Sequence, residues 1–561
     1  MERIVECVPN FSEGRDRNVI DAIAKEIEQT EGVMLLDVDP GQATNRTVIT
    51  FIGSPEAVKK AAFKAIRKAA ELIDMSKHKG EHPRIGATDV CPFVPVSGVT
   101  MEDCVQLARD LGRRVGDELG IPVYLYEEAA TRPERRNLAD IRKGEYEGLP
   151  EKLKDPEWKP DFGPDKFNPK TGATVIGARE FLIAYNVNLN TRDRKLAHEI
   201  ALNLRESGRA KRDAERENHP RRNGKAIKIP GRLKAVKAVG WYIEEYGQAQ
   251  VSYNITNYKI TPVHRVFEET CVEAEKLGLR VTGSELVGLI PLNALLEAGR
   301  YFLQKQGKST GVPEEELIHI AVKSLGLDDL GEFDPYKKII EYRFRAPHGP
   351  LASMKVFEFA NELSTDSPAP GGGSVSALAG SLSASLASMV ANLTHGHKNF
   401  KDLRPEMEEV AVKAQRLKKE LLAAIDRDTE AFNRVMAAFR LPKKTEEDQK
   451  RREEAIEAAT KEATNVPFRV MEQCLEAMQC CKIVAEKGNP NAVSDAGVGT
   501  LMAHAGVHGA FLNVKINLPG IKDEVFRKET LHRAKEITRK ADELKDEILK
   551  IVQNRLEQQT G

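Results

Sequence analysis

His78 and His82 stand four apart in KHKGEHPRIGATD (77–89). On a helix they would share a face, but Gly80, Pro83 and Gly86 argue against a helix. The stretch reads as a loop that projects His82 beside Glu81 and Arg84. A neutral imidazole is a competent base near pH 7. A zinc site would want a third His or Cys; Cys91 is the one nearby, and HExxH is absent. From residue type alone, an exposed loop histidine is the plainer reading. Two other polar clusters end apolar runs. In ECVPNFSEGRD (6–16), Asn10 to Arg15 could line a site, or Ser12 could cap the next helix. In LLDVDPGQATNR (35–46), Asp39 could orient a histidine by accepting a ring N–H. A plain Asp-Pro-Gly turn is the favoured reading there.

The second half holds its acids in helical settings. Asp426 and Asp428 lie in DRDTEAFNRVM, and an aspartate in a charged helix is usually a solvated face. Asp495 and Asn513 stand in polar motifs inside apolar helices, and Ser494-Asp495 reads equally as a helix cap. His504 and His508 are four apart on a helix. A metal pair is one reading; packing or an interface is preferred, since no Glu lies between them as in HExxH. GGGS (371–374) lacks the GxxxxGK[ST] spacing and a preceding strand, which disfavours a phosphate loop.

The elements that must position these groups change character along the chain. In the first half, strand candidates at 4–11, 33–39, 47–53, 123–128 and 181–189 alternate with amphipathic helices. The clearest helix is 54–73, with Ser54 as N-cap and Pro55 in the first turn. GQATNRTVITFIGSP (41–55) and GQAQVSYNITNYKITP (247–262) echo each other as turn, strand and proline-led helix. The fold class expected is α/β (α+β) for two related sheet-and-helix subdomains, 1–180 and 181–328. A linker at 329–348 follows, then an all-α bundle over 349–561 with helices at about 351–364, 373–395, 402–439, 444–487, 494–513 and 522–558. The small-residue helix 371–394 is expected to be buried or to meet a partner subunit.

Composition excludes several classes. Lys plus Arg and Asp plus Glu number 85 each, so no global charge favours nucleic acid or an anionic membrane. No run of 18 apolar residues is evident, and the charged N-terminus is unlike a secretion signal. The 7 cysteines form no CxxC pair, which fits reduced thiols and a cytoplasmic protein.

The long motifs carry a resemblance. ECVPNFSEGRD, LLDVDPGQATNRTVITFIG, KGEHPRIGATDVCPFVP and FGPDKFNPKTGATVIGAREFLIAYNVNL resemble glutamate formimidoyltransferases. PAPGGGSVSALAGSLSASLASMV, DRDTEAFNRVM and GNPNAVSDAGVGTLMAHAGVHGAFLNVKIN resemble formimidoyltetrahydrofolate cyclodeaminases. In this order they are similar to the bifunctional enzymes of histidine degradation.

That resemblance implies a set of roles. His82 would be the transferase's catalytic group, with Asp39 as its orienter. The loop Gly163, Pro164, Asp165, Lys166, Phe167, Asn168, Pro169, Lys170, Thr171, Gly172 would bind folate. Arg46, Arg84 and Arg232 are candidates for the substrate carboxylates. Asp428, the second aspartate of D-x-D-x-x-A-F, would serve ring closure, with Asp495 and Asn513 as pocket candidates. Tetrahydrofolate, with or without a polyglutamate tail, is the expected co-substrate, and no metal is expected. The basic stretch 205–229 is a solvated surface or a landing place for such a tail. Glutamate or N-formiminoglutamate is the other substrate; neither nucleic acid nor membrane is an expected partner. The assembly implied is a homo-oligomer, a ring of dimers. The C-terminal relatives include methenyltetrahydrofolate cyclohydrolases, and a non-catalytic folate-binding scaffold is a further alternative.

Overall fold

The computed structural model describes residues 3–42, 45–80, 83–211, 221–222, 225–344, 346 and 348–560. The chain forms two compact units, residues 1–295 with 325–345, and residues 296–324 with 346–561.

The first unit opens with β1 (Ile4–Cys7), β2 (Asn10–Phe11), α1 (Arg17–Glu28), β3 (Val33–Gly41), β4 (Arg46–Gly53), α2 (Pro55–Leu72), β5 (Thr88–Ser97), α3 (Met101–Leu119), β6 (Val123–Glu127), α4 (Leu138–Ile141), α5 (Glu145–Lys152) and β7 (Thr174–Ala178). Seven strands form one sheet, ordered β1-β4-β2-β5-β7-β6, with β3 on the side of β4. β5, β7 and β6 run parallel. β5 is the spine of this sheet, buried without interruption from Thr88 to Val94. α2 buries Val58, Ala61, Ala62, Ala65, Ile66 and Ala69, the three-and-four spacing of one helix face. Its N-cap is Ser54, but the hydroxyl makes no capping bond.

The unit continues through β8 (Ile183–Leu189), α6 (Arg194–Leu204), the two-residue strands β9 (Arg209–Ala210), β10 (Arg221–Arg222), β11 (Lys225–Ala226) and β12 (Lys228–Ile229), then β13 (Val236–Ile243), β14 (Gln248–Ile255), α7 (Val263–Lys276) and β15 (Val281–Val287). The second sheet, β13-β14-β8-β15, is wholly antiparallel. The echoed motifs are both strand-then-helix pieces: β4 leads to α2 behind Pro55, and β14 leads to α7 behind Pro262. The surrounding sheets differ, one mixed and one antiparallel. Of the basic stretch 205–229, residues 212–220 and 223–224 lie outside the described residues.

α8 (Leu292–Lys305), α9 (Glu314–Leu325), α10 (Pro335–Lys338) and α11 (Ile340–Phe344) follow. The segment read as a linker thus carries two short helices, with Ile339 and Ile340 fully buried.

The second unit is helical, as expected: α12 (Val356–Leu363), α13 (Gly372–Gly396), α14 (Arg404–Phe439), α15 (Glu446–Lys487), α16 (Val493–Asn517) and α17 (Glu524–Thr560). Small residues set its packing distance. A Cβ on Gly380 would come 2.5 Å from the Cys474 sulfur, and one on Gly506 would come 2.8 Å from it. α13, α15 and α16 therefore approach closely around one thiol. One expectation needs correcting here. Gly372–Gly396 is long and apolar enough to cross a membrane by length and composition, and 61% of that window is buried inside the protein. Six cysteines, Cys7, Cys91, Cys104, Cys474, Cys480 and Cys481, are buried, and Cys271 is half-buried.

Candidate functional site

In the first unit, four of the singled-out motifs converge. His82 and Glu81 lie outside the described residues, so the geometry concerns what flanks them. Ser12 does not cap α1, whose N-cap is Asp16. It is buried instead, its hydroxyl donating to the Gly86 carbonyl at 2.7 Å and its amide to that of Ala87 at 2.9 Å. Asn45 sits at φ 49°, a left-handed conformation that asparagine tolerates. Its side chain accepts from the Gly14 amide (3.0 Å) and donates to the Lys79 carbonyl (3.0 Å). Its own carbonyl accepts from His78 Nε2 at 2.8 Å.

His78 is thereby assigned a tautomer. Arg84 Nε can only donate, and it lies 3.2 Å from His78 Nδ1. Nδ1 must be the acceptor and Nε2 carries the hydrogen toward Asn45. Burial lowers the pKa of the ring, which keeps it neutral. With both nitrogens engaged, His78 ties the loop down and is not a free base.

The Gly163–Gly172 loop is stitched to this histidine loop. Met75 donates to the Lys170 carbonyl (2.9 Å), Ala87 to Thr171 (2.8 Å) and Ala173 to Ile85 (3.0 Å). A Cβ on Gly86 would come 2.0 Å from the Ala173 carbonyl oxygen, so only glycine fits. Gly163 and Gly172 have φ of 78° and 64°, where glycine is favoured. Asn168 turns the chain by accepting from the Lys170 and Thr171 amides, and Lys170 Nζ reaches the Glu71 carbonyl. Gly163, Pro164, Asp165 and Lys166 are exposed, as are Pro169 and Lys170, whereas Thr171 and Gly172 are buried. Phe167 is half-buried, its ring centre 5.4 Å from that of Tyr146.

The candidate arginines differ in their surroundings. Arg84 is occupied by Glu147, at 2.7 and 2.8 Å, and by Glu145 at 3.0 Å. Arg232 is held by Glu269 (3.0 Å) and Glu273 (2.7 Å) in the second subdomain. Arg46 opens β4 and feels the charges of Asp89, Arg142 and Asp39. Asp39 is exposed near the end of β3, opposite Val48. A cavity of about 780 Å³ beside Pro83 is lined by Arg136, Arg142, Lys143, Arg179 and Lys237 together with Glu128, Glu145 and Glu180, and Arg136 and Arg142 are held by Glu128 and Asp89. That size suits a small-molecule ligand. Glu127 also lines it; burial raises its pKa and its φ of 51° is strained for a non-glycine residue.

In the second unit, α14 separates its two aspartates by role. Asp426 is buried and accepts the Leu351 and Ala352 amides at 2.8 and 3.2 Å, anchoring the turn before α12. Asp428 faces the start of α13: a Cβ on Gly373 would come 2.1 Å from its Oδ1. The Ser374 hydroxyl gives its hydrogen to the Ile425 carbonyl at 2.8 Å and is 3.4 Å from Asp428. Burial pushes the Asp428 carboxyl above its ordinary pKa, against the opposing pull of the Ser374 hydroxyl and amide. Asn513 joins this group, its side-chain nitrogen 3.4 Å from a Cβ on Gly372. Asp495 does not. It sits in the first turn of α16, about 27 Å along the helix from Asn513 at 1.5 Å per residue. GGGS begins α13 directly, behind a loop and without a strand.

Family models match the chain in three consecutive stretches. "Formiminotransferase domain, N-terminal subdomain" covers 4–179, "Formiminotransferase domain" 184–345 and "Formiminotransferase-cyclodeaminase" 355–536. The formimidoyltransferase-cyclodeaminase of Mus musculus is 47% identical over 96% of this chain and 97% of its own. The chain belongs to the formimidoyltransferase-cyclodeaminase family. Single-activity relatives match parts of it. A glutamate formimidoyltransferase of Streptococcus pyogenes is 44% identical over 54% of this chain and 94% of its own. A methenyltetrahydrofolate cyclohydrolase of Methylorubrum extorquens is 39% identical over 35% of this chain and 95% of its own.

The formimidoyltransferase half holds site groups that sequence reasoning passed over. Glu127 ends an apolar strand in VYLYEE, and Arg179 follows β7 in GARE. Polar residues at strand ends were a usable signal in both. The cation lining from Arg136, Arg142 and Lys143 comes from the irregular stretch between β6 and α5, where no periodicity pointed to it. In the cyclodeaminase half, the missed contributor is Gly373, whose missing side chain makes room for Asp428.

Proposed function

We propose that the first unit transfers the formimino group between N-formimino-L-glutamate and tetrahydrofolate, and that the helical unit closes 5-formiminotetrahydrofolate to 5,10-methenyltetrahydrofolate. The observation that carries this is the family match through both halves, in order and nearly end to end. His82 acts as base in one direction and acid in the other, with Asp39 holding its ring. Support comes from its company: Lys79 is tied to Asn45, Pro83 lines the charged cavity, and the proposed folate loop Gly163–Gly172 is stitched alongside. Of the cavity's cations, Lys143, Arg179 and Lys237 take the substrate carboxylates, since Glu128 holds Arg136 and Asp89 holds Arg142.

For ring closure, N10 attacks the formimino carbon. Asp428 takes the N10 proton and returns it to the amino nitrogen, which leaves as ammonia. A carboxyl whose pKa is raised by burial suits both transfers. Asn513 lines the same pocket. The enzyme works with free or polyglutamylated folate in cytoplasmic histidine degradation, as a homo-oligomer. Exposed apolar side chains on α13 (Val375, Leu382, Met389) and α16 (Leu501, Leu512, Ile516) support the last point.

The test supplies formiminoglutamate and tetrahydrofolate and follows methenyl product by ultraviolet absorbance, with ammonia measured in parallel. His82→Ala should stop transfer but leave closure of supplied 5-formiminotetrahydrofolate. Full transfer by His82→Ala would overturn its role. The cyclohydrolase relative favours a second reading of the helical unit, hydrolysis of the methenyl group. Loss of absorbance from supplied 5,10-methenyltetrahydrofolate, with no ammonia released from supplied 5-formiminotetrahydrofolate, would select it.

A further inference from the structure

His504 and His508 stand on successive turns of α16 and turn their rings toward α17, where Asp542 meets both. His504 Nε2 lies 2.7 Å from Asp542 Oδ1, and His508 Nε2 lies 2.9 Å from the same oxygen. The rings are 4.4 Å apart between centres. One donor atom from each residue falls within 4.8 Å of the other two. The side chains are 22%, 40% and 50% exposed, so an ion has access from solvent.

The convergence exceeds what a simple tie between two helices requires. A helix-to-helix tie needs one imidazole on one carboxylate, and here a second ring lies tilted against the first with its Nε2 aimed at the same oxygen. Residues four apart on a helix present two nitrogens along one edge. The third donor comes from a neighbouring helix, a common way to build a three-ligand face.

We propose that His504, His508 and Asp542 bind one first-row divalent cation of the zinc type. Two imidazoles and one carboxylate suit zinc, cobalt or nickel. Magnesium and calcium prefer all-oxygen sites, and copper(I) prefers sulfur. Tetrahedral bonds of about 2.0–2.1 Å set ligand atoms about 3.3 Å apart. The present nitrogen–oxygen distances need to open by about half an ångström, which small χ rotations supply.

The ion would clip α17 to α16 behind the start of α13. The opposite side of the same two turns of α16 carries Gly506 and Gly509. A Cβ on Gly509 would come 2.3 Å from the Ser376 hydroxyl, and one on Gly506 would come 3.0 Å from the Ser376 carbonyl oxygen. The clip therefore braces the layer on which Asp428 and Asn513 converge, without touching either. It stands independently of the roles assigned to those two residues.

The test uses the full chain, stripped with a chelator and titrated with cobalt(II). One cobalt per chain should bind, with visible absorption bands of a nitrogen–oxygen site that disappear when zinc(II) is added. Zinc should also raise the melting temperature of the stripped protein. His504→Ala and Asp542→Asn should each weaken cobalt binding at least about 100-fold. Asp542→Asn keeps an acceptor oxygen for the rings, so it serves as the variant that preserves the metal-free fold. Failure of the unmutated chain to bind cobalt or zinc in excess would overturn the proposal. So would undiminished binding by Asp542→Asn and His504→Ala variants with unchanged circular dichroism.

Discussion

Replacing Asp426 and Asp428 by asparagine, one at a time, should separate stability from ring closure. Asp426 is 7% exposed and accepts two backbone amides, at 2.8 and 3.2 Å. Its amide keeps one oxygen and sets an NH2 group against the other N–H. One charge-assisted bond is lost, the second is weakened, and a donor faces a donor. With 1.5–3 kcal/mol for each bond to a charged group, the loss is about 3 kcal/mol. Asp428 has less to lose: the Ser374 hydroxyl is 3.4 Å away and shared with Ile425, and burial outweighs the Ser374 hydroxyl and amide that favour its charged form. Its pKa in the fold is raised above the unfolded value. The folded state therefore binds more protons between the two pKa values, and stability falls as pH climbs through that window. Asp428→Asn should thus be as stable as the parent or more so at neutral pH, and the advantage should vanish below the ordinary aspartate pKa of about 4. Ring closure by Asp428→Asn should fall by about 10²–10⁴. Urea unfolding followed by circular dichroism and methenyl absorbance from supplied 5-formiminotetrahydrofolate read the two effects. The reasoning fails if Asp426→Asn abolishes closure with an unchanged unfolding midpoint, or if Asp428→Asn keeps the parental rate.

Three further outcomes are expected. Gly373→Ala places a methyl 2.1 Å from Asp428 Oδ1 and should depress ring closure while leaving transfer intact; separate assays of the two steps check this. Glu6 is buried in β1 with its pKa pushed up to about 7. Its fold is destabilised as pH rises from about 4.5 to 7, so Glu6→Gln should gain up to about 3 kcal/mol over the parent at pH 8 and nothing at pH 4, read from thermal melts at both. His78→Ala removes a ring bonded at 2.8 and 3.2 Å, and should cost about 2 kcal/mol of stability and lower transfer more than closure, measured on separate substrates.

Much of the architecture was legible because its signals are periodic. The long helices α13 to α17 carry apolar faces interrupted by capping and proline signals, and each begins and ends close to where those signals place it. β5 escaped notice for a physical reason. A central strand buried on both faces loses the alternation that marks a strand, and Pro92 and Pro95 read as breakers. The sites divided in the same way. The histidine loop and the Gly163–Gly172 loop were visible as polar, glycine-marked motifs. Their mutual stitching through Gly86 depends on chain segments about 85 residues apart, which no local pattern encodes. Residue type suggested substrate binding for Arg84 and Arg232, but it did not reveal that each guanidinium has two carboxylates of its own.

The distribution of cysteines turns the molecule into its own reporter. Cys7, Cys91 and Cys104 are sealed in the first unit, and Cys474, Cys480 and Cys481 in the second. Burial pushes the Cys104 and Cys474 thiols up to about 12, so neither sulfur reacts while its surroundings stay closed. Alkylation under native conditions, read peptide by peptide, would therefore time the opening of each half separately and without an introduced cysteine.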